Sequence, residues 1–483
     1  MNSVIREYLI GQGYNTVSDE TYSHIDEWLE WYENDVKKFH HYIIWNGAMK
    51  TEQERYRLGM AKTICEDWAN LLLNEKVTIK AGDYSKRLEE ILTWNKFRVN
   101  GNKLIELAFA LGTAALAEYK DAAGNIIIDY IRADMIYPLS WDNGEITECA
   151  FGSTRVIDGK ERIYLQIHRY GNQEEGENPT IYYLENKYLD AESGKEIEAP
   201  EIVMPIVETG SELPLFQILT PNICNNIELD SPLGVSVFAN AISQLKSCDV
   251  VYDSYVNEYV MGRKRILVPL PMAKIQMQKE GVIEPYFKPN DTVYYMMPGD
   301  NTDNMKLTEV DMTIRANEHE LGIQRCIDLL SFKCGMGTGR YRFESGGVKT
   351  ATEVISDKSD LYQNRQKHCL LVNDVIVNLV RAISVLDKET PIEATVDFDD
   401  SIIEDGNAVI DKNIKLVTGG LRSKISAIME INKCSEEEAK KELEKIAGDN
   451  QITGKEIDWM DNDNTEEGKE QDKQELYKEQ EEA

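Results

Sequence analysis

The amino-acid sequence predicts a mixed α+β protein that is built from several structural units. Its 483 residues exceed what one ordinary hydrophobic core supports, and its hydrophobic content of 42% is that of a folded protein. Some long segments carry apolar residues at helical spacing, whereas residues 99–220 alternate short runs rich in Ile, Val and Tyr with turn residues. Helices and strands are therefore grouped along the chain, which is typical of the α+β class.

The first hundred residues are predicted to contain helices. Aromatic side chains among polar ones in residues 1–50 favour short amphipathic helices. Thr51 and Glu54 have the spacing of a capping box, in which the two side chains satisfy free amides of a first helical turn. Apolar residues then recur every three or four positions: Tyr56, Met60, Ile64, Trp68 and Leu71. We predict a helix from Thr51 to about Asn74 with one buried face.

Residues 99–220 are predicted to form an antiparallel β region. Its apolar runs are short and are separated by Gly, Asn and Asp, as at Asp142-Asn143-Gly144. A Ser followed by Pro, at Ser231-Pro232, then indicates the start of a helix. This helix is predicted to end at Gly262, with one face made of residues spaced by three or four: Phe238, Ile242, Leu245, Cys248, Tyr252, Tyr255 and Tyr259.

A small β-rich module is predicted next, because proline is excluded from helix interiors and residues 265–300 hold five of the thirteen prolines. A further helix is predicted from about Asp311 to Cys334, followed by a glycine-rich loop over residues 335–349. The loop leads into the longest helical pattern, residues 350–388, which Thr350 and Glu353 open as a capping box and which would span roughly 55 Å.

The C-terminal part is predicted to hold a strand, a helix and a disordered tail. Residues Pro391 to Phe398 read as the strand, and Ser435 and Glu438 have capping-box spacing for the helix. From about Ile452 onward the chain has almost no apolar residues and is dominated by Glu, Asp, Lys, Gln and Asn. Such a segment buries too little apolar surface to offset the entropy of ordering.

The charge balance argues against tight, static binding of nucleic acid. The chain has 85 acidic and 53 basic residues, for a formal net charge of −32. Sequence-independent DNA affinity comes from Lys and Arg that neutralise phosphates, so a protein this acidic repels DNA on average. The eight cysteines lack zinc-site spacing and are expected to be reduced, mostly buried thiols of a protein assembled in a reducing cytosol. No uninterrupted apolar run is long enough to cross a bilayer, so no membrane association is expected.

Little in the sequence indicates catalysis. The glycines at 335, 337 and 339 follow a helix and lack the pattern of a phosphate-binding loop, which favours a plain flexible loop. One carboxylate cluster has the residue types of a Mg²⁺ site: Asp397, Asp399, Asp400, Glu404 and Asp405. A cluster of this kind at a strand-to-loop junction is more often simply solvated. We therefore expect no catalytic residue, no metal site and no cofactor.

The order of these parts resembles the portal proteins of tailed bacteriophages, especially of phages that infect Gram-positive bacteria. The resemblance spans nearly the whole chain and is carried by five stretches, of which the fourth is the most specific: Trp45-Asn46-Gly47, Cys65 to Leu72, Ser231-Pro232-Leu233-Gly234, Ser345-Gly346 with Lys349 to Val354, and Asp397 to Ile402.

The resemblance implies a portal fold with long stem and wing helices, β-rich wing and clip modules, and a helical crown. Its parts would be divided as follows: 1–230, N-terminal helices and β-rich wing; 231–264, stem helix; 265–307, clip; 308–334, stem helix; 335–349, channel loop; 350–388, long wing helix; 389–454, crown; 455–483, disordered acidic tail.

The resemblance also implies a function and a set of partners. The chain would form a dodecameric homo-oligomer at one capsid vertex of a virion, assembled in the cytoplasm of the bacterial host. Double-stranded DNA would pass through its channel during packaging and ejection. The terminase large subunit and the head-tail adaptor would dock on it, and the major capsid and scaffold proteins would be further partners.

Two sets of cations are the candidate functional residues under this resemblance. Lys279 and Lys288 lie in the clip and are expected to contribute to docking of the terminase or the adaptor. Arg340, Arg342 and Lys349 lie in the glycine-rich loop and are expected to touch DNA briefly. The alternative for these three is pairing with nearby acids such as Glu344 and Glu353.

Two other functions stay open at this point. A metal-dependent nuclease would use the carboxylate cluster at 397–405 and cleave DNA with Mg²⁺. A generic acidic scaffold protein would form no defined ring. The particle size in solution distinguishes all three.

Overall fold

The computed structural model describes most of the chain and divides it into two compact units. The first unit comprises residues 1–347 and 357–399, and the second comprises 348–356 and 400–483. The described residues are 2–45, 47, 49–121, 123–157, 159–173, 176–198, 203–262, 265–269, 275–277, 283–285, 294–297, 308–310, 313–342, 351–388, 390–398, 406–432 and 436–453. The architecture mixes helices and sheets, so the predicted α+β class is confirmed at this level.

The first unit opens with three helices and a hairpin. The helices are α1 (Asn2–Gly11), α2 (Asp19–Tyr32) and α3 (Lys37–His40), and the hairpin strands are β1 (His41–Trp45) and β2 (Lys50–Glu54). The helix predicted to start at Thr51 is therefore wrong, because Thr51 pairs with Ile44 across the hairpin. The amides that the capping box would satisfy are used in a strand instead.

Three helices follow and pack on one another, and the third of them also packs on strands of the sheet described next. They are α4 (Met60–Leu72), α5 (Ser85–Trp94) and α6 (Phe97–Leu111), with the short strand β3 (Thr78–Lys80) after α4. The predicted apolar face is confirmed from Met60 onward, since Met60, Ile64, Trp68 and Leu71 are buried, but Tyr56 precedes α4 and is exposed. The predicted start of the β region at residue 99 is wrong because that segment forms α6, whose apolar side chains pack inward.

The predicted antiparallel β region begins after α6. One sheet has the order β12-β4-β5, formed by Phe216–Leu219, Ala114–Lys120 and Ile126–Arg132. A larger sheet has the order β10-β9-β8-β7-β6, with β11 on the same edge of β9 as β10. Its strands are β6 (Ile136–Asp142), β7 (Glu145–Ile157), β8 (Lys160–Tyr170), β9 (Tyr182–Asp190), β10 (Glu196–Ile197) and β11 (Ile206–Glu208). The pairings of both sheets are antiparallel, and the predicted turn at Asn143-Gly144 joins β6 to β7.

Helix α7 (Ile242–Met261) starts eleven residues after the predicted position at Ser231. Residues 231–238 instead run along the C-terminal end of α6, where the Val237 amide donates to the Phe109 carbonyl at 2.9 Å. Gly112 ends α6 with φ at 84°, and a Cβ built on it lies 2.6 Å from the Gly234 carbonyl oxygen. Two glycine backbones thus meet directly, and this tertiary contact excludes a helix that begins at Ser231.

Between α7 and the next helix the described residues form five short strands. These are β13 (Arg265–Pro269), β14 (Ile275–Met277), β15 (Ile283–Pro285), β16 (Tyr294–Met297) and β17 (Thr308–Val310), paired in the orders β16-β13-β17 and β14-β15. The predicted β-rich character of the segment is confirmed. Helix α8 (Ala316–Lys333) follows with Ile323, Ile327 and Leu330 buried as predicted, although it starts later than residue 311.

Helix α9 (Ala351–Lys388) is a single helix of 38 residues, as predicted. The strand predicted at 391–398 is shorter, β18 (Thr395–Asp397), and pairs with β3. The second unit contains α10 (Gly406–Thr418), α11 (Lys424–Asn432) and α12 (Glu436–Thr453), of which α12 confirms the helix predicted after Ser435. The predicted disordered tail lies outside the described residues.

One part of α9, Asp360–Lys388, is long and apolar enough by length and composition to cross a membrane. The sequence interrupts this segment with four charged residues, Arg365, Lys367, Asp374 and Arg381, and has further charges at both ends. Although Leu370 is exposed, many of its apolar side chains are buried in the first unit: Leu361, Val372, Ile376, Leu379, Val380 and Ile383. We therefore interpret it as a core helix of the fold.

The cysteines that the structure describes are all free thiols. Cys65, Cys149, Cys248, Cys334 and Cys369 are buried, Cys326 is half-buried and Cys224 is exposed. Burial raises the pKa of the Cys248 and Cys334 thiols to about 12. The expectation of mostly buried thiols is confirmed for this part of the chain.

Candidate functional site

The first half of the glycine-rich loop forms a turn whose backbone is hydrogen-bonded to three helices. Gly335, Gly337 and Gly339 all have φ between 75° and 80°, a region that glycine adopts without strain. Four backbone carbonyls accept hydrogen bonds from helix side chains: Cys334 O from Trp68 Nε1 (3.1 Å), Gly335 O from Asn364 Nδ2 (2.9 Å), Gly337 O from Ser331 Oγ (2.6 Å) and Tyr341 O from Gln324 Nε2 (3.0 Å). Helices α4, α8 and α9 together hold the segment.

The predicted loop cations differ in their surroundings. Arg340 Nε lies 3.2 Å from Asp67 Oδ2 on α4, and both side chains are partly exposed. Arg342 is exposed and its guanidinium lies against Gly339. Lys349 and Glu344 lie outside the described residues, and so does the side chain of Glu353. The acid that pairs with Arg340 is thus Asp67, which neither periodicity nor spacing singled out.

A buried network ties the long helix α9 to α4 and to the loop before α7. Arg365 is only 1% exposed, and its Nε donates to the Leu71 carbonyl at 2.8 Å. His368 Nδ1 accepts a hydrogen bond from the Asn222 amide at 3.0 Å, and its ring lies edge-on to Trp68 and Phe109. Burial, with a smaller effect of Lys367, lowers the pKa of His368 to about 3, so the ring is neutral at physiological pH.

The ends of α7 and α8 next to the β-rich module are joined by one carboxylate. Glu258 accepts hydrogen bonds from the Arg315 backbone amide and from Arg315 Nη2, both at 2.8 Å, and it also contacts His319 Nε2. The bonds from Arg315 hold the pKa of Glu258 down at about 2. The β-rich module is the chain segment that connects the end of α7 to the start of α8. The ion pair between Glu258 and Arg315 therefore joins the two helices at the base of the module. Sequence analysis missed it, since a single Glu on a helix has no local signature.

Two aspartates on α7 are also missed by sequence analysis. Asp249 Oδ2 lies 3.0 Å from His40 Nε2, and Asp249 Oδ1 accepts the Leu58 amide at 2.8 Å. Asp253 accepts the Tyr56 amide at 2.9 Å, and both aspartates are buried. The two carboxylates therefore hold the base of the β1–β2 hairpin on α7. His41, adjacent in sequence, points away to Asp35, so the histidine pair does not share a ligand.

The predicted carboxylate cluster is described only in part. Asp397 is exposed in β18, paired with Thr78, while Asp399, Asp400, Glu404 and Asp405 lie outside the described residues. Among the residues that the structure describes, no three His, Cys, Asp or Glu side chains are placed to hold a metal ion. Lys279 and Lys288 also lie outside the described residues.

The chain is similar in sequence to one known family. A family model described as "Phage portal protein, SPP1 Gp6-like" matches residues 13–453. No curated protein matches.

Among solved structures, one match is described as the neck of a native GTA particle computed with C12 symmetry. It is 10% identical, covers 77% of this chain and 89% of that chain, and has a TM-score of 0.34. Another is described as the neck of an empty GTA particle computed with C6 symmetry, at 12% identity, the same two coverages and a TM-score of 0.35. TM-scores of this size do not by themselves establish a shared fold.

The family match starts just after α1 and runs to the end of α12, so it takes in most of both compact units, the β-rich module and the anchored loop. It includes all five stretches that carry the resemblance noted in the sequence. The roles of individual residues are not part of that match. On the extent of the match, this chain belongs to the SPP1 Gp6-like family of phage portal proteins.

Proposed function

We propose that this portal protein assembles into a closed ring at one vertex of a capsid, and that double-stranded DNA passes through the ring during packaging and ejection. The observation that carries the proposal is the family match over residues 13–453. The expected ring is a dodecamer that is assembled in the bacterial cytoplasm. The family is structural, and the chain is proposed to act without catalysis or a cofactor.

The parts of the fold are assigned to portal modules in the same proposal. Helices α7 and α8 are the stem, and the strands between them are the clip. The wing comprises the N-terminal helices, the antiparallel sheets and α9, and the crown comprises the helices of the second unit. Support for the stem and clip comes from Glu258 and Arg315, which join the two helices where the module starts and ends. A clip fixed in this way transmits force from a docked partner to the stem.

The clip is proposed as the docking site of the terminase large subunit and later of the head-tail adaptor. Lys279 and Lys288 are the cations expected to contribute. The major capsid and scaffold proteins are proposed as further partners. Since the chain carries a net charge of −32, most of the channel wall would repel phosphates and let DNA slide.

Negative-stain imaging of the purified full-length chain tests the proposed assembly. We expect rings with a central hole. A population of monomers, or particles without defined shape, would contradict the proposal. A nuclease would instead show Mg²⁺-dependent DNA cleavage that is lost in Asp397→Asn.

The anchored loop gives a prediction about DNA. We expect replacement of Arg340, Arg342 and Lys349 together by alanine to leave rings intact and to change the amount of DNA packaged or retained. The described ion pair of Arg340 with Asp67 is partly exposed, so its loss costs at most about 1 kcal/mol of stability. The measurement is the DNA length per particle and its retention over a range of salt concentrations.

Asp67→Asn is the matched control for this prediction. It removes the partner of Arg340 while keeping the cation and nearly the same side-chain volume. If the ion pair serves only to hold the loop, Asp67→Asn will reproduce the effect of the triple variant. Equal packaging and retention by the triple variant and the unmodified protein would exclude a role in DNA contact.

A further inference from the structure

The β1–β2 hairpin exposes large apolar side chains on a two-stranded sheet. Ile43 and Trp45 point to the same face and are 62% and 63% exposed. A two-stranded hairpin is marginally stable in water, and adjacent exposed apolar side chains indicate a surface that another molecule covers. Glu52, directly across from Ile43, adds a negative charge to this face.

Helix α8 has a second exposed apolar surface. Leu321, Leu329 and Phe332 recur on one side of the helix, and each is about 60% exposed. The buried residues Ile323, Ile327 and Leu330 lie on its opposite side. Arg325, between Leu321 and Leu329 on the exposed side, is 74% exposed. We name this surface the outer stripe: Leu321, Arg325, Leu329 and Phe332.

Helix α7 lies between these two surfaces. Its side toward α8 includes Tyr255, whose ring is 5.8 Å from that of His319, and Glu258, which binds Arg315. Its other side carries Asp249 and Asp253, which hold the hairpin base. At 100° per residue these two pairs of positions point to roughly opposite sides of the helix.

A ring of identical subunits requires two different surfaces on opposite sides of each subunit, because each contact in a ring is head-to-tail. The hairpin base and α8 contact opposite sides of α7, so the hairpin face and the outer stripe belong to different sides of the subunit. Both surfaces are apolar. The hairpin face also carries Glu52 across from Ile43 and Lys50 across from Trp45, and the outer stripe carries Arg325, whose Nη1 lies 3.8 Å from Asp328 Oδ2.

We propose that the β1–β2 hairpin of one subunit packs on the outer stripe of the next subunit, with Ile43 and Trp45 against Leu329 and Phe332 and with Glu52 near Arg325. This inference rests on the proposed ring and names the contact that closes it. The partner is thus a second copy of this chain.

The first test compares surface substitutions in the full-length chain. Ile43→Ser with Trp45→Ser, and separately Leu329→Ser with Phe332→Ser, should each lower the fraction of chain in rings by at least about tenfold, measured by mass photometry at one concentration. Val156→Ser is the control, because Val156 is 71% exposed on β7, away from both surfaces. It should leave the ring fraction unchanged. Far-UV circular dichroism of every variant checks that the fold is retained.

A charge exchange and a crosslink test whether a loss of rings in the serine variants comes from the lost contact or from misfolding. Glu52→Arg and Arg325→Glu should each weaken rings, and the double variant should restore them. Trp45→Cys combined with Leu329→Cys should give a disulfide-linked ladder of subunits on a non-reducing gel. Full rings in both serine variants without any ladder would overturn this inference and leave the proposed ring standing. An unmodified chain that stays monomeric would overturn both.

Discussion

Gly112→Ala is expected to lower the free energy of unfolding by at least about 4 kcal/mol, among the largest effects of a single added methyl group. The new Cβ would lie 2.6 Å from the backbone oxygen of Gly234, and neither backbone has a side-chain torsion that relieves the overlap. A Cβ added at Gly234 would overlap the Gly112 carbonyl oxygen, so Gly234→Ala should lower the free energy of unfolding by a similar amount. Urea unfolding followed by tryptophan fluorescence measures both losses.

Gly124→Ala separates this overlap from the strain of the backbone angle. Gly124 has the same φ of 84° as Gly112, but a Cβ built there meets no atom within 4 Å. Only the left-handed backbone disfavours alanine at this position, which costs about 1 kcal/mol. If Gly112→Ala were no more destabilising than Gly124→Ala, the contact between the two glycines would not be as tight as described.

Glu118→Gln is expected to stabilise the protein at neutral and higher pH. Glu118 is fully buried in β4, and no hydrogen bond from another described residue reaches its carboxyl oxygens. Burial raises its pKa from 4.5 to about 8. Because the folded protein holds this proton more tightly than the unfolded chain, the free energy of unfolding is highest below pH 4.5. It falls as the pH rises toward 8. At pH 7 this loss is about 3 kcal/mol, and glutamine, which carries no charge to lose, should recover much of it.

The measurement for Glu118 is the urea midpoint between pH 5 and pH 9. The difference between Glu118→Gln and the unmodified protein should grow with pH across this range and level off above pH 8. Glu161→Gln makes the same charge change at an exposed position of β8 and should not reproduce that trend. A constant difference over the whole range would show that Glu118 is ionised in the folded protein.

The fold was predictable where apolar spacing alone determines an element. Ile323, Ile327 and Leu330 locate α8, and the uninterrupted pattern after residue 350 locates α9, because each buries one side of a helix. The predictions at Thr51 and Ser231 are wrong for a different reason. Both rest on local capping signals, but long-range contacts determine the structure at these positions. Thr51 pairs with Ile44 in a hairpin, and the segment after Ser231 brings Gly234 against Gly112.

Of the candidate site, the family was predictable from the sequence, and the roles of the loop and clip cations stay predictions. Arg340 stands out in an acidic chain, but its partner Asp67 lies 273 positions away and has no signal in the sequence. Asp249 and Asp253 likewise carry no local signal in the sequence, although both are buried acceptors for the hairpin base. The stretch Cys65 to Leu72, which supports the resemblance, contains Trp68, whose indole holds the carbonyl at the start of the glycine-rich loop. The resemblance thus identified a position whose structural role the spacing did not reveal.

The distribution of the cysteines has a consequence for chemical labelling. Thiolates rather than thiols attack alkylating reagents, and burial keeps Cys65, Cys149, Cys248 and Cys334 protonated. Cys224 is the exposed cysteine within the described part of the chain. A maleimide dye added to the native protein should therefore prefer this position over the buried thiols. A fluorophore attached to Cys224 makes the molecule suitable for energy-transfer measurements without rebuilding its interior.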